Sequence, residues 1–325
     1  MKKMFFMGCD GGSTKYAYAV CDQTGHVLVQ HTEPGLNYMR GTAQSFGMSI
    51  KRHLAEVLTK ADIEEEQISY AAYGLSGYGE GRTVSEDMFR IISSALGHDR
   101  LVVCNDSVIG WSGALASRPG ISVVSGTGSI AYGEDAHGMS ARAGGWSLDY
   151  GDEGSSCWVA KRAINAFFRQ ADGRMPRTLL YDWFVQRFRL ENPLYFIQAI
   201  HDYVNGNSAR CASLQREILP LYEAGDPCIR EIYRQAAAEL AQLVAALQRE
   251  LSFEGETMQV SYSGGLFKGG SCILDPFSNE IEALGGELVM PRFGPLTGAL
   301  GIAARNCLGG GELNRMMDRA GSEIA

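Results

Sequence analysis

Apolar and polar residues alternate in short runs over the first third of the chain and predict strands interleaved with helices. Runs at 4–9, about 16–21 and 26–31 are separated by tight turns, which predicts three antiparallel strands. Apolar residues then recur at helical spacing over 43–60. The elements predicted next are a strand at 69–75, a helix at 83–96 and a strand at 101–104. The order of elements is therefore βββαβαβ.

The same order begins again after Gly120, which indicates two related α/β domains. The elements predicted there are strands at 121–124, about 129–133 and 139–142, a strand at 259–262, a helix at 271–284, a strand at 287–290 and a helix from about 296. A helical insert over about 154–251 interrupts this second copy, and its apolar stripes are typical of packing faces.

A Pro-Gly pair marks the predicted boundary between the two domains. Because Arg118-Pro119-Gly120 interrupts the chain between two apolar segments, the predicted domains are 1–118 and 119–305. A last helix at about 306–325 can pack back on the first domain.

Composition and charge narrow the classes of protein that the chain can represent. With 325 residues, 45% hydrophobic and 20% charged, it is typical of a soluble two-domain protein. The formal net charge of −8 argues against nucleic acid or a membrane surface as a partner. No apolar run approaches the ~18 to 20 residues of a membrane span. The eight cysteines form no C-x-x-C pair, so we expect reduced thiols, no disulfides and a cytoplasmic location.

Two short loops rich in Gly, Ser and Thr form the candidate phosphate site. They are Asp10-Gly11-Gly12-Ser13-Thr14 and Ser125-Gly126-Thr127-Gly128-Ser129, and each follows an apolar run. Glycine lets the main chain approach an anion closely, and the hydroxyls add hydrogen-bond donors. Either loop alone is equally explained as a tight turn. Their corresponding positions in two repeated units favour a nucleotide triphosphate as ligand.

Other familiar catalytic and binding motifs do not fit the sequence. It contains no G-x-x-x-x-G-K-[ST] segment. Residues 126–131 match G-x-G-x-x-A, but the spacing that follows indicates a strand rather than the helix of a dinucleotide-binding fold. The six histidines form no zinc-binding pattern, and no G-x-S-x-G elbow is present.

Several segments of the chain resemble the N-acetylglucosamine kinase family, within the group of BadF/BadG/BcrA/BcrD ATPases. They are residues 8–14, Asn105-Asp106, residues 125–129, Gly144-Gly145-Trp146, residues 151–155 and Gly264-Gly265. The resemblance covers nearly the whole chain and is most specific over 123–155. It implies the fold of actin, hexokinase and Hsp70, in which two ribonuclease-H-like domains hold nucleotide in the cleft between them.

The resemblance also implies an ATP site and a metal ligand. The residues it implies for ATP are Gly11, Gly12, Ser13, Thr14, Gly126, Thr127, Gly128, Ala212, Gly264, Gly265 and Lys268. The role in ATP binding is least well supported for Ala212, because the helical region around it has little local similarity to the family. Asp10 would help to place a hydrated Mg²⁺, a cation that prefers oxygen ligands. A cap on the following turn is the alternative role for Asp10.

On the same resemblance Asp106 is the catalytic base. It would accept the proton of the sugar's 6-hydroxyl as that oxygen attacks the γ-phosphorus, and an N-cap on the following helix is its alternative role. The residues implied for sugar binding are Asn37, Ser76, Gly77, Asp106, Ser129, Gly145, Trp146 and Asp152. Core filling is the alternative for Trp146, and a solvated helix start is the alternative for Asp152. The segment 147–150 departs from the Gly that many relatives carry after this tryptophan, so the class of sugar is better defined than its identity.

The sequence therefore predicts an ATP-dependent kinase that phosphorylates the 6-hydroxyl of an amino sugar. N-acetylglucosamine is the first expectation, followed by N-acetylmuramic acid and glucosamine, with ATP and Mg²⁺ as cofactors and a homodimer as the assembly. One alternative is a BadF-type ATPase that activates a reductase or dehydratase through an iron–sulfur cluster, although the sequence has no Gly-flanked Cys cluster. A second is a sugar or nucleotide sensor, which the presence of Asp10, Asp106 and Thr127 disfavours.

Overall fold

The structure is a computed structural model that describes residues 3–12, 14–36, 38, 41–253, 255 and 257–324. The chain divides into two compact units. Unit 1 comprises Met1–Pro119 together with Met290–Ala325, and unit 2 comprises Gly120–Val289.

Unit 1 is built on a five-stranded mixed sheet. Its strands are β1 Phe5–Gly11, β2 Lys15–Asp22, β3 Val27–Pro34, β4 Ile68–Leu75 and β5 Leu101–Asn105. The strand order is β3-β2-β1-β4-β5. The pairs β1–β2 and β2–β3 are antiparallel, whereas β1–β4 and β4–β5 are parallel. The carboxyl ends of β1, β4 and β5 consequently meet at one edge of the sheet.

Three helices complete the first part of unit 1. They are α1 Ala43–Ala61, α2 Arg82–Leu96 and α3 Asp106–Leu115, and a short 3-10 turn at Glu65–Gln67 precedes β4. Helix α1 begins with a capping box, since Thr42 accepts the Ser45 N–H and Ser45 accepts the Thr42 N–H, both at 3.1 Å. The apolar face of α1 is buried with that of α2 in one core against the sheet.

Unit 2 repeats the sheet of unit 1. Its strands are β6 Gly120–Ser125, β7 Ser129–Glu134, β8 Ser140–Gly144, β9 Met258–Ser263 and β10 Gly286–Leu288. The strand order is β10-β9-β6-β7-β8, with β6–β7–β8 antiparallel and β6–β9–β10 parallel. The two sheets therefore have the same topology, as the repeated βββ pattern predicts.

The insert in unit 2 is helical. Its helices are α4 Ser156–Ala171, α5 Leu179–Phe188, α6 Phe196–Val204, α7 Ser208–Glu223 and α8 Pro227–Gln248; after β9 follow a 3-10 turn at Leu266–Gly269 and α9 Ser271–Ala283. The buried Asp226 caps α8, because its Oδ1 accepts the Cys228 N–H at 2.8 Å, and its Oδ2 accepts the Leu180 N–H of α5 at 2.8 Å. One carboxylate thus ties two helices of the insert together.

The chain returns to unit 1 through its last two helices, α10 Pro295–Ala304 and α11 Gly310–Glu323. Helix α10 packs against β1 and α3. This packing is close, since a Cβ atom at Gly298 would lie 1.9 Å from the Ile109 carbonyl oxygen. The sequence-based division ends the second domain at residue 305, whereas unit 2 ends at Val289, because α10 packs on the sheet of unit 1.

Helix α11 is joined to the β2–β3 hairpin of unit 1. The Glu323 carboxylate accepts the Val27 N–H at 2.8 Å, and the Arg319 guanidinium donates to the Thr24 hydroxyl at 3.0 Å.

In the described part of the chain, no helix combines the length and the apolar character needed to cross a membrane.

We expect the buried Asp135 to make the stability of unit 2 dependent on pH. Its carboxylate accepts the N–H groups of His137 at 2.9 Å, Met139 at 3.0 Å and Ser252 at 3.2 Å, which joins the β7–β8 turn to the segment before β9. Burial by itself raises the pKa of Asp135, but these N–H groups outweigh it and hold the pKa below the ordinary value. The carboxylate therefore stabilises the fold above the unfolded pKa of about 3.9, and this contribution is lost as pH falls through the folded pKa.

We expect Asp135→Asn to lower the urea midpoint of unfolding at pH 7, because an amide cannot accept all three N–H groups. The difference from the wild type should shrink as pH falls from about 5 to about 3. Urea titrations at both ends of this range check the prediction, with the exposed Asp275→Asn in the same unit as control. A deficit that stays constant over the range would contradict it.

Candidate active site

The carboxyl edge of the unit 1 sheet carries three of the predicted site segments. Asp10 lies near the end of β1, opposite Gly74 of the parallel strand β4. The Ser76 N–H, just beyond β4, donates to the Gly11 carbonyl at 3.0 Å. Asp106 follows β5 directly as the first residue of α3. Parallel strands thus bring together two acids that lie far apart in the sequence.

The side chain that caps α3 is Asn105, the residue before the predicted base. Its Oδ1 accepts the Ser107 N–H at 3.1 Å and the Ser107 hydroxyl at 2.7 Å. Its amide also donates to the Tyr78 carbonyl at 3.2 Å, which ties the loop after β4 to the start of the helix. The capping function considered for Asp106 therefore belongs to its neighbour.

Asp106 and Asp10 form a pair of interacting carboxylates. Burial first, and then the negative charges of Asp10 and Glu80, raise the pKa of Asp106 to about 6, although backbone N–H groups at the start of α3 oppose the shift. Burial also raises the pKa of Asp10, and the Lys15 ammonium opposes that shift. A carboxyl group with a pKa near 6 is mostly ionised at pH 7 and is a better proton acceptor than an exposed aspartate.

The first Gly-rich loop forms the turn between β1 and β2. The Gly12 N–H donates to the Lys15 carbonyl at 2.9 Å, and the exposed Thr14 precedes β2. Gly77, in the turn after β4, has a φ of +82°. The predicted site residues that lie outside the described residues are Ser13 and Asn37.

In unit 2 the second Gly-rich loop is a hairpin between β6 and β7, as predicted. The Gly126 N–H donates to the Gly128 carbonyl at 2.9 Å across the loop, with Thr127 at its tip. The Ser156 N–H, at the start of α4, donates to the Gly126 carbonyl at 2.9 Å. The position of the loop is therefore coupled to the start of α4.

Gly264 and Gly265 lie against this hairpin. Gly264 has a φ of +105°, and a Cβ atom on it would lie 2.2 Å from the Ser125 carbonyl oxygen. A Cβ atom on Gly126 would lie 3.9 Å from the Gly265 nitrogen. Only a residue without a side chain permits this approach of main chain to main chain at Gly264.

The two remaining predicted ATP residues lie on neighbouring elements of unit 2. Lys268 is exposed in the 3-10 turn, and Ala212 is half-buried on α7, packed against the core of unit 2. A Cβ atom on Gly269 of the turn would lie 3.8 Å from the Leu219 side chain of α7. The turn and α7 are therefore in contact.

Three of the residues predicted for sugar binding are held together by the β7 strand and the loop before α4. The Gly145 N–H donates to the Ser129 carbonyl at 2.8 Å, and the Ser129 hydroxyl donates to the Glu153 carbonyl at 2.6 Å. Asp152 has a φ of +58° and is buried. A Cβ atom on Gly128 would lie 2.5 Å from its Oδ2, so this carboxylate packs on the hairpin loop. The structure excludes a solvated helix start for Asp152.

Trp146 is exposed, and its ring is covered only in part by a neighbouring guanidinium. The residue is 70% exposed, and the Arg142 guanidinium carbon lies 5.8 Å from the ring centroid. The core-filling alternative for Trp146 is therefore wrong. An exposed tryptophan beside polar main chain offers an apolar face to a ligand.

A cluster of charged groups in unit 1, between β3 and α1, is not among the sequence-based predictions. His31 Nε2 lies 2.8 Å from the Glu33 carboxylate and 3.5 Å from that of Glu56. Lys60 Nζ lies 2.9 Å from His31 Nδ1, and the Arg52 guanidinium lies 3.5 Å from Glu33. The two cations balance the two carboxylates, so the cluster is explained without a metal ion. The four-residue spacing of Arg52, Glu56 and Lys60 is the signal in the sequence that indicates it.

Solved structures with the same fold define the class of protein. A structure from Chromobacterium violaceum, assigned as an N-acetylglucosamine kinase, matches with a TM-score of 0.70 and 25% identity, covering 92% of this chain and 98% of that one. A ROK family glucokinase from Streptomyces griseus, solved with glucose and AMPPNP, matches with a TM-score of 0.55 and 17% identity, covering 93% of this chain and 98% of that one. The predicted two-domain α/β fold of the hexokinase type is confirmed.

Sequence comparison identifies the family. The pattern of the BadF/BadG/BcrA/BcrD ATPase family matches residues 7–303, and the chain belongs to this family. It is 30% identical over 277 residues to an N-acetylmuramic acid/N-acetylglucosamine kinase of Clostridium acetobutylicum, covering 84% of this chain and 89% of the relative. It is 25% identical over 293 residues to an N-acetyl-D-glucosamine kinase of Dictyostelium discoideum, covering 86% and 91%. The predicted resemblance is confirmed.

Proposed function

We propose that this chain is an ATP-dependent kinase that transfers the γ-phosphate of ATP to the 6-hydroxyl of an amino sugar, with N-acetylglucosamine as the first candidate. The observation that carries the proposal is the position of Asp10 and Asp106 at the carboxyl edge of the unit 1 sheet, where burial and the charge of Asp10 raise the pKa of Asp106. Membership of the ATPase family and two relatives named as kinases of N-acetylated amino sugars support it.

The two Gly-rich loops, one after β1 and one after β6, are the proposed phosphate-binding loops. Main-chain N–H groups and hydroxyls of these loops are the donors for phosphate oxygens, and the Gly264 turn and α7 flank the nucleoside. The residues proposed for ATP are Gly11, Gly12, Ser13, Thr14, Gly126, Thr127, Gly128, Ala212, Gly264, Gly265 and Lys268.

The acid pair of unit 1 also fits a hard divalent cation. The negative charge of Asp10 raises the pKa of Asp106, and burial raises the pKa of Asp10 itself; a cation with oxygen ligands relieves both effects. Lys15 is the cation that acts on Asp10 in the described structure. We assign Mg²⁺ to Asp10. When bound with ATP, Mg²⁺ would neutralise charge on the phosphates.

Asp106 performs the proton transfer in this proposal. Its carboxylate accepts the proton of the acceptor hydroxyl while the hydroxyl oxygen forms a bond to the γ-phosphorus, and the bond from that phosphorus to the β-phosphate oxygen breaks to release ADP. The Asn105 cap holds the start of α3, so the carboxylate is positioned by the helix rather than by a mobile loop.

The residues proposed for the sugar are a set of polar groups and one aromatic side chain. Asp152 and the main chain near Ser129 and Gly145 match sugar hydroxyls, and Trp146 covers an apolar face of the ring or acetyl group. Asn37, Ser76 and Gly77 complete the proposed set.

A cytoplasmic location and a homodimer also belong to the proposal. Light scattering of the purified chain tests the dimer.

A screen of ADP release tests the proposed function. The purified chain is supplied with MgATP and, in turn, N-acetylglucosamine, N-acetylmuramic acid, glucosamine, N-acetylmannosamine and glucose. We expect N-acetylated amino sugars to stimulate ADP release most strongly. Equal ADP release with every sugar and with none would contradict a sugar kinase.

Trp146→Ala is expected to raise the KM for the sugar by about tenfold and to leave the KM for ATP unchanged. The reason is that the indole ring contacts only the sugar in this proposal, and the loss of about 1.4 kcal/mol of apolar contact corresponds to a tenfold change. Steady-state kinetics with each substrate varied in turn measure both constants. Tyr195→Ala removes another exposed aromatic ring of unit 2 and is the matched control. Equal KM values for the sugar in all three proteins would remove Trp146 from the site.

A further inference from the structure

Two buried cysteines of unit 2 face each other between α4 and α7. Cys157, the second residue of α4, is fully buried, and Cys211, in the first turn of α7, is 6% exposed. The Cys157 sulfur lies 3.2 Å from the Ser208 carbonyl oxygen of α7, and the Cys211 sulfur lies 4.0 Å from the Cys157 carbonyl oxygen. Both sulfur atoms are therefore enclosed in the same helix–helix contact.

The two thiols differ in their acidity. A hydrogen bond from the Cys157 thiol, helped by the positive charge of Lys161, lowers the pKa of Cys211 in spite of burial. The same hydrogen bond, with burial, raises the pKa of Cys157. A thiol of lowered pKa beside a thiol of raised pKa is the arrangement in which the first sulfur is oxidised and the second resolves the product.

We propose that Cys157 and Cys211 form a reversible oxidation site, at which hydrogen peroxide converts the two free thiols to a disulfide that joins α4 to α7. The Cys211 thiolate attacks one peroxide oxygen, the O–O bond breaks, and the second oxygen leaves as water after taking a proton. The resulting sulfenic acid is attacked by the Cys157 sulfur, so the S–S bond forms, the S–O bond breaks and a second water leaves with the Cys157 proton. Two thiols lose two electrons in total, and the peroxide gains them.

The position of this pair links it to the proposed nucleotide site, on which this part of the inference rests. The Ser156 N–H, next to Cys157, donates to the Gly126 carbonyl of the hairpin loop, and Ala212, one of the residues proposed for ATP, follows Cys211. A disulfide brings its sulfur atoms to about 2.05 Å, well inside the contact distance of two unbonded sulfurs. Its closure therefore pulls the first turn of α7 towards the start of α4, and we expect weaker ATP binding in the oxidised form.

Peptide mapping after mild oxidation tests the site itself. The reduced full chain is treated with hydrogen peroxide, the remaining thiols are alkylated, and the digest is analysed by mass spectrometry. We expect a peptide pair joined by Cys157 and Cys211 that dithiothreitol separates. Cys157→Ser should leave a sulfenic acid on Cys211 that dimedone traps, whereas Cys228→Ser, another buried cysteine of unit 2, should form the link as the wild type does.

Kinetics of the same samples test the consequence for ATP. We expect the KM for ATP to rise several-fold on oxidation and to return with dithiothreitol, in the wild type and in Cys228→Ser but not in Cys211→Ser. Absence of the Cys157–Cys211 link under oxidation would overturn the site, and a link that leaves the KM for ATP unchanged would overturn the regulation. Mapping needs no activity, so a chain that shows no kinase activity when reduced would contradict the proposed function alone.

Discussion

Asp106→Asn is expected to lower kcat for sugar phosphorylation by about 10²- to 10⁴-fold while the protein stays folded. Asparagine keeps the shape of the side chain but has no carboxylate to accept the hydroxyl proton. The fold should not suffer, because Asn105 caps α3 and because the substitution removes a repulsion between Asp106 and Asp10. ADP release with N-acetylglucosamine gives kcat, and thermal unfolding gives the stability.

Glu80→Gln is the matched control for this substitution. It removes another negative charge that acts on Asp106 but leaves the proton acceptor in place, so kcat should stay within several-fold of the wild type. If Asp106→Asn retained the kcat of the wild type, Asp106 would not be the base.

Gly264→Ala is expected to weaken ATP binding by about tenfold or more. The φ of +105° strains any residue with a side chain, and the new Cβ atom would lie 2.2 Å from the Ser125 carbonyl oxygen. The turn must therefore move away from the hairpin loop, and a loss of about 1.4 kcal/mol in the ATP contacts corresponds to tenfold in affinity. Calorimetric titration with a non-hydrolysable ATP analogue measures the change.

Gly285→Ala is the control that separates the effect of backbone strain at a positive φ from the effect of a steric clash with neighbouring main chain. Gly285 also belongs to unit 2 and has a φ of +76°, but a Cβ atom there would meet no other atom within 4 Å. We expect this variant to lose about 1 to 2 kcal/mol of stability and to bind the analogue with wild-type affinity. Equal affinity in both variants and the wild type would show that the Gly264 turn does not bind nucleotide.

The regular elements of the fold were predictable from local patterns, and short ones less so. Helix α1 is predicted at 43–60 and observed at Ala43–Ala61, because five turns of apolar spacing define it well. Strand β10 is predicted at 287–290 and observed at Gly286–Leu288, because three residues carry little periodicity. The packing of α10 on β1 depends on contacts between residues nearly 300 positions apart, which no local pattern contains.

Local sequence patterns likewise predict only part of the candidate site. The position of Asp10 and of Asp106 near the end of a strand was predictable, because each follows an apolar run. Their meeting at one edge of the same sheet depends on the parallel pairing of β1, β4 and β5. The sequence could not show that Asn105 rather than Asp106 caps α3. Asn and Asp cap helices about equally well, and the two possible caps differ by one residue in where the helix begins. Burial at Asp152 and exposure at Trp146 depend on distant packing, as does the meeting of Cys157 with Cys211 across 54 positions.

NMR spectroscopy of the reaction product tests most directly the claim that the chain phosphorylates the 6-hydroxyl of an amino sugar with Asp106 as base. With carbon-13-labelled N-acetylglucosamine and MgATP, we expect phosphorus coupling at carbon 6 and carbon 5 in the wild-type reaction and almost none in the Asp106→Asn reaction over the same time. Phosphorus coupling at a different carbon, or ADP and free phosphate beside unchanged sugar, would contradict the claim.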